Sequence, residues 1–363
     1  MNKAQQLHDF GQSLWLDNIT RHLLDDDGLR RIIEEFAITG LTSNPSIFDD
    51  AIGKGDAYDQ GIREKTRAGK SGEALFIELA LEDLRRAADL FRPVFEATRG
   101  RDGWVSMEVS PLLAHDTAGS IAAAAQIHTQ ANRPNLFVKI PGTPAGLAAI
   151  EESIFKGVPI NVTLLFSREQ YLAAAGAYLR GIERRIEAGL NPKVASVASL
   201  FVSRWDKAVS GKLPADLRNR LGIAIAQRTY RAYRELLVSP RWQTLAAAGA
   251  GPQRLLWAST GTKDPEAPET LYVDALAAAD TINTIPEKTL RAYAEHGAPK
   301  GAMAADGGDC EAVLLRFAEA GVDVAALALQ LQRDGAAAFV KSWTQLLQRI
   351  ADKESGPIQA SPP

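Results

Sequence analysis

The sequence predicts an α/β fold, a closed (β/α)8 TIM barrel carrying additional helices. Three observations predict it. Short apolar runs alternate with longer stretches of helical period along almost the whole chain, which implies a parallel sheet covered on both faces. The apolar runs number eight, which suits a closed barrel better than an open doubly wound sheet. No Gly-rich dinucleotide fingerprint follows the first run and no GxxxxGK[ST] segment occurs, which weakens the open nucleotide-binding alternative.

The candidate strands fall at residues 13–19, 38–44, 104–110, 135–141, 159–166, 194–202, 254–260 and 280–286. Between them, residues 73–98, 118–130, 167–188 and 217–237 have helical period. Two regions exceed the minimal unit. Residues 57–69 and 71–100 offer two helices between the second and third strands, and residues 311–354 read as a helical pair broken near Gly321. Both regions are expected to pack around the barrel rather than over its mouth. No Pro/Gly/Ser-rich linker interrupts the interior, so residues 1–353 read as one barrel domain with its C-terminal helices. The tail ESGPIQASPP, residues 354–363, is polar and Pro-rich and is expected to be disordered.

Composition narrows the function classes. In 363 residues, 46% are hydrophobic and 23% charged, which allows a large core and argues against general disorder. A net charge of -3 argues against a broad nucleic-acid-binding surface but leaves room for a local basic pocket. Cys310 is the single cysteine and cannot form an internal disulfide, so a cytoplasmic location is expected. The five histidines show no metal-ligand spacing, so neither a metal nor another cofactor is expected. The N-terminus has no apolar segment behind a basic start, and no uncharged apolar run nears the ~20 residues that span a bilayer, so no membrane partner is expected. A monomer and a homodimer are equally open.

The informative feature is polar side chains inside apolar strands. A strand sends alternate residues to opposite faces. In LFVKIP, Leu136, Val138 and Ile140 share the face toward the helices, which leaves Phe137 and Lys139 inward. Burial disfavours the charged form of an amine, and a neutral amine is the nucleophile that attacks a carbonyl to form a Schiff base. The alternative is a lysine whose head escapes to water or pairs with a carboxylate. The same alternation places Ser106 and Glu108 together in WVSMEVS, Asn161 and Thr163 in PINVTLLF, Thr42 and Asn44 in GLTSNPS, and Ser199 and Phe201 in VASLFVSRW. Asp17 stands opposite Leu16 in SLWLDNI, and Arg204 begins the helix after the sixth strand. One polar residue in a strand is ordinarily a satisfied core group. Five further strands each delivering one or two to the same end would need repeated compensation as structure alone, whereas catalytic groups at the C-terminal ends of barrel strands are the expected arrangement.

These motifs resemble the transaldolase family. GLTSNPSIF, residues 40–48, is similar to the family's N-terminal signature, and LFVKIPGTPAGLAAI to its active-site lysine signature. The resemblance continues through WLDNI, SMEVS, INVTLLFS, VASLFVSRWD and LLWASTGTK, in consistent order over roughly residues 14–286. The length, and WASTGTKDP in place of a shorter pattern, resemble the long bacterial members. The resemblance implies a barrel of the class I aldolase type without a metal, acting in the pentose phosphate pathway on sugar phosphates. It implies Lys139 as the Schiff-base nucleophile, Asp17 as the general acid/base, and Glu108 working through a water. It places Asn44, Asn161 and Ser199 on sugar hydroxyls, with Thr42, Ser106 and Thr163 as polar neighbours of the reacting centre, Thr163 helping to hold the water. Arg204 and Ser259 match phosphate-binding positions.

One departure matters. Where the shorter members carry an arginine two residues after the serine, this chain has Gly261, and the next basic residue is Lys263. Lys263 is expected to replace that arginine as a point charge, without its bidentate fork; a solvent-facing loop lysine is the alternative. Phe201 supplies apolar bulk where a tyrosine would supply an acid. With the chain length, this leans against the nearest rival, an aldolase similar to the fructose-6-phosphate aldolase branch. A non-catalytic sugar-phosphate-binding barrel is a further rival, against which stands the intact Asp17, Glu108 and Lys139 set.

Overall fold

Eight parallel strands close in chain order into a barrel: β1 (Ser13–Asp17), β2 (Gly40–Thr42), β3 (Trp104–Glu108), β4 (Leu136–Pro141), β5 (Ile160–Leu165), β6 (Ser196–Phe201), β7 (Gln253–Ala258) and β8 (Ile282–Ile285), with β8 pairing back to β1. The computed structural model describes residues 3–211, 213–299 and 301–355. Each strand lies within or beside the run that the apolar pattern marks. Most runs are longer than the ladder because their last residues turn out of it to meet the following helix.

The register fixes which side chains point inward. Asp17 pairs with Thr42 and Thr42 with Ser106; one step further up, Glu108 pairs with Lys139 and Lys139 with Asn161. Paired residues in a parallel sheet share a face, so these six line the upper interior. Two residues lower on the same strands the interior is aromatic. Trp104 stacks on Phe137 with ring centres 4.0 Å apart, and Trp15 lies 6.2 Å from Phe137. Gly40 makes room for this plug, since a Cβ there would stand 2.6 Å from the Trp15 indole. The outer faces of the strands are almost wholly buried, as expected where helices cover a parallel sheet. All six tryptophans are buried, in the core or on the barrel flank.

The added helices do two different things. The long helix Gly72–Ala97 packs against β3 on the outside of the barrel, as expected. The C-terminal region does form a pair, Cys310–Glu319 and Val324–Ser355. The second of these is not confined to the flank, which corrects the expectation. Gln332 Nε2 donates to the carbonyls of Gly142 and Leu164, both at 3.0 Å, at the C-terminal ends of β4 and β5. Further along, Ser342 Oγ meets Ser46 Oγ at 2.7 Å and Arg349 Nε donates to Asp49 at 2.5 Å, both on the helix that follows β2. The helix therefore runs across the mouth. Its amphipathic pattern reports that one face is covered but not by what. It includes residues 354 and 355; the rest of the expected disordered tail, 356–363, lies outside the described residues.

Candidate active site

The polar groups that strand alternation singles out meet at the C-terminal end of the barrel. Lys139 is buried on β4, and its Nζ donates to the Ser43 carbonyl at 2.9 Å. Glu108 Oε2 stands 3.2 Å away, in ion-pair contact, while neither oxygen of that buried carboxylate has an aligned hydrogen-bond donor. Thr163 Oγ1 on β5 is likewise buried and unpartnered. Buried polar atoms are ordinarily satisfied. A carboxylate left without a further donor beside a buried amine is therefore suited to meet a polar reactant.

Asp17, at the end of β1, accepts a hydrogen bond from Thr42 Oγ1 at 2.7 Å, and Thr42 in turn lies 2.6 Å from Thr284 Oγ1 on β8. Burial raises the pKa of the Asp17 carboxyl; the Thr42 hydrogen bond and the charges of Lys139 and Lys263 act against that shift. Burial also raises Glu108, opposed by Lys139 and Arg204 and reinforced by the charge of Asp17. The two carboxyl groups thus differ in what holds them: Asp17 has a neutral hydroxyl donor and Glu108 has only the Lys139 amine. Such unlike surroundings are the means by which one cleft runs acid and base steps.

Ser106, Asn161 and Ser199 form a chain across the interior. Ser199 Oγ donates to Asn161 Oδ1 at 2.7 Å, and Asn161 Nδ2 donates to Ser106 Oγ at 3.2 Å. Asn44 is not a strand residue, because β2 ends at Thr42. It caps the following helix, its Oδ1 accepting from the Ile47 amide at 3.1 Å, which leaves Nδ2 as a donor.

A cluster of cations forms the far side. Arg204 lies in the helix Ser203–Val209, with its Cζ 5.1 Å from the Phe201 ring centre. Ser259 follows β7 with φ 56°, in the left-handed region, and its Oγ is 3.0 Å from Ser203 Oγ. Lys263 is an exposed residue, and its Nζ lies 3.9 Å from where a Cβ on the buried Gly261 would stand. Its pKa is lowered by burial and by the charges of Arg204 and Lys207, with Asp17 acting the other way. None of Arg204, Lys207 or Lys263 has a carboxylate within 4.0 Å among the described residues. One-signed charge that is left unpaired in a cleft is suited to an anion.

Thr284, Lys207 and the Ser43 carbonyl are absent from the sequence-level set. The alternation of Ile282, Asn283 and Thr284 could have found Thr284; nothing local could have found the other two. A cavity of about 890 Å³ opens at the opposite end of the barrel, lined by Trp104, Phe137, Trp242 and Arg254 among others, and holds none of these groups. Among the described residues no three His, Cys, Asp or Glu are placed to hold a metal ion, and no helix is long and apolar enough to cross a membrane.

Comparison with known proteins bears on the same residues. A family model described as Transaldolase/Fructose-6-phosphate aldolase matches residues 14–350. A transaldolase of Thermobifida fusca (strain YX) is 44% identical over 358 residues, covering 96% of this chain and 97% of that protein. A transaldolase of Thiobacillus denitrificans is 42% identical over 358 residues, covering 96% of this chain and all of that protein. A protein named Transaldolase 2 from Nostoc is 38% identical over 374 residues, covering 97% and 98%.

Proposed function

The chain belongs to the transaldolase/fructose-6-phosphate aldolase family and is a transferase of the transaldolase type acting on sugar phosphates, and on that premise we propose how its residues divide the chemistry. The observation that carries the reading is the buried Lys139 amine, 3.2 Å from a carboxylate that has no other partner.

The donor is a ketose phosphate, sedoheptulose 7-phosphate or fructose 6-phosphate. The Lys139 amine attacks its C2 carbonyl and forms a carbinolamine. Glu108, through a water held with Thr163, delivers a proton to the C2 hydroxyl, which leaves as water, and an iminium forms. The iminium withdraws electrons from C3. Asp17 takes the proton of the C4 hydroxyl, C4 becomes an aldehyde, and the electron pair of the C3–C4 bond passes into an enamine on Lys139. An aldose phosphate departs and a dihydroxyacetone unit stays behind. A second aldose phosphate enters, and the steps run in reverse. Arg204, Ser259 and Lys263 hold the phosphate, with Lys263 replacing the arginine that shorter members carry at the position of Gly261. Asn44, Asn161 and Ser199 meet sugar hydroxyls.

The covalent intermediate supplies the test. After incubation with fructose 6-phosphate and reduction with borohydride, the peptide bearing Lys139 gains the mass of a reduced three-carbon unit. Modification of another lysine, or of none, refutes the assignment.

A further inference from the structure

We propose that Phe339 and Gly335 of the C-terminal helix are positioning residues for substrate phosphate, acting through Arg204; the inference rests on the reading of Arg204 as a phosphate ligand. The Arg204 guanidinium has neither a hydrogen-bond acceptor nor a carboxylate in reach among the described residues. What it has is rings: its Cζ lies 5.1 Å from the Phe201 ring centre and 5.8 Å from that of Phe339. Contact with aromatic rings holds a guanidinium in place and leaves its N–H edge to donate to an anion. Phe201 belongs to the strand just before Arg204. Phe339 is buried and arrives from the helix that crosses the mouth.

At Gly335 the helix backbone passes close to Arg204. Glycine weakens a helix interior relative to alanine, yet Gly335 stands well inside the helix Val324–Ser355. A Cβ there would lie 2.9 Å from Leu164 Cδ2 and 3.2 Å from Arg204 Nη1. The glycine lets the helix backbone pass the guanidinium without displacing it. Gln332, less than one turn away, ties the same segment to the Gly142 and Leu164 carbonyls. An arginine loses much rotamer freedom when it is ordered. Ordering it before substrate arrives takes that loss out of the binding step. The C-terminal helix is therefore a specificity element, favouring phosphorylated over unphosphorylated sugars.

The test compares fructose 6-phosphate with fructose as donor, and inorganic phosphate as competitive inhibitor, in Phe339→Leu, Phe339→Tyr, Gly335→Ala and Trp343→Phe. In Phe339→Leu the KM for fructose 6-phosphate and the inhibition constant of phosphate should each rise about tenfold. The preference for the phosphorylated donor falls with them. Gly335→Ala should shift the same way, and Phe339→Tyr, which keeps a ring, should restore the preference. Trp343 lies on the same helix but packs on Phe76 at 5.1 Å, so Trp343→Phe should lower both donors together. A preference and a phosphate constant that stay at wild-type values in both Phe339→Leu and Gly335→Ala overturn the proposal. So does an equal loss on both donors with the phosphate constant unmoved. If borohydride still traps Lys139 while the preference is unmoved, this inference alone fails; if wild type traps nothing, the reading beneath it fails first.

Discussion

The two ends of the barrel interior each bury a cation beside a carboxylate, and they treat the pair in opposite ways. At the lower end Arg254 stands 3.8 Å from Asp102, and polar groups surround both, with Arg254 Nε left without a partner. The guanidinium donates to the Arg101 and Thr281 carbonyls and to Ser13 Oγ, while Asp102 accepts from the Trp15 indole at 2.6 Å. At the upper end Lys139 has one carbonyl acceptor, and Glu108 has no donor besides that amine. A buried pair with most of its hydrogen bonds made holds structure together. One left short of partners is held by the rest of the fold and is free to exchange protons with a substrate. The same strands supply the aromatic layer below and the polar groups above, two residues apart: Trp104 and Ser106 on β3, Phe137 and Lys139 on β4, Trp15 and Asp17 on β1.

This contrast can be broken or sharpened by substitution, beginning with the largest effect. Lys139→Met should abolish both imine trapping and turnover, yet melt no lower than wild type, because it removes the pair's buried amine and leaves Glu108 free to be protonated. A large fall in melting temperature would show that the upper pair is structural after all. Asp17→Ala should slow turnover by about 10²–10⁴-fold while an imine with fructose 6-phosphate still forms. Unchanged turnover would remove Asp17 from the mechanism.

The lower pair should answer in stability instead. Arg254→Met leaves Asp102 buried without its cation and should cost about 3–5 kcal/mol, read by denaturant unfolding. Turnover per folded molecule should stay near wild type. The smallest effect concerns pH. Because burial raises both Asp17 and Glu108, the folded protein keeps their protons to higher pH than the unfolded chain does. Their contribution to stability is thus greatest below the ordinary carboxylate range and is lost as pH rises through the raised values. Thr42→Val removes the hydrogen bond that lowers Asp17, so the acid limb of kcat/KM should move to higher pH. A limb that stays in place, or moves down, would show that another group sets it.

Much of the site was legible because a strand has a period of two. Lys139, Glu108, Asn161 and Thr163 could be assigned inward from the alternation of their neighbours, and Arg204 from its place just after a strand. Asn44 was less legible. Parity grouped it with Thr42, but β2 stops at Thr42, and Asn44 spends its side-chain oxygen on a helix cap. The C-terminal helix was legible as a helix and misplaced as packing. Nothing in a helical period says whether the covered face lies on a flank or on the mouth of a barrel, and only Gln332, Phe339 and Gly335 in contact with β4, β5 and Arg204 decide that.

The number and order of the strands, the inward face of the side chains within them, and the ordered motifs that mark the family follow from the sequence alone. These are properties of the local backbone and of nearest neighbours along the chain. Tertiary structure decided which inward groups meet: that Glu108 faces Lys139, that Ser199, Asn161 and Ser106 satisfy one another, that the Lys263 amine approaches Gly261, and that the last helix closes over the site. Those contacts join residues far apart in the chain. They depend on barrel closure and register, which no single segment encodes.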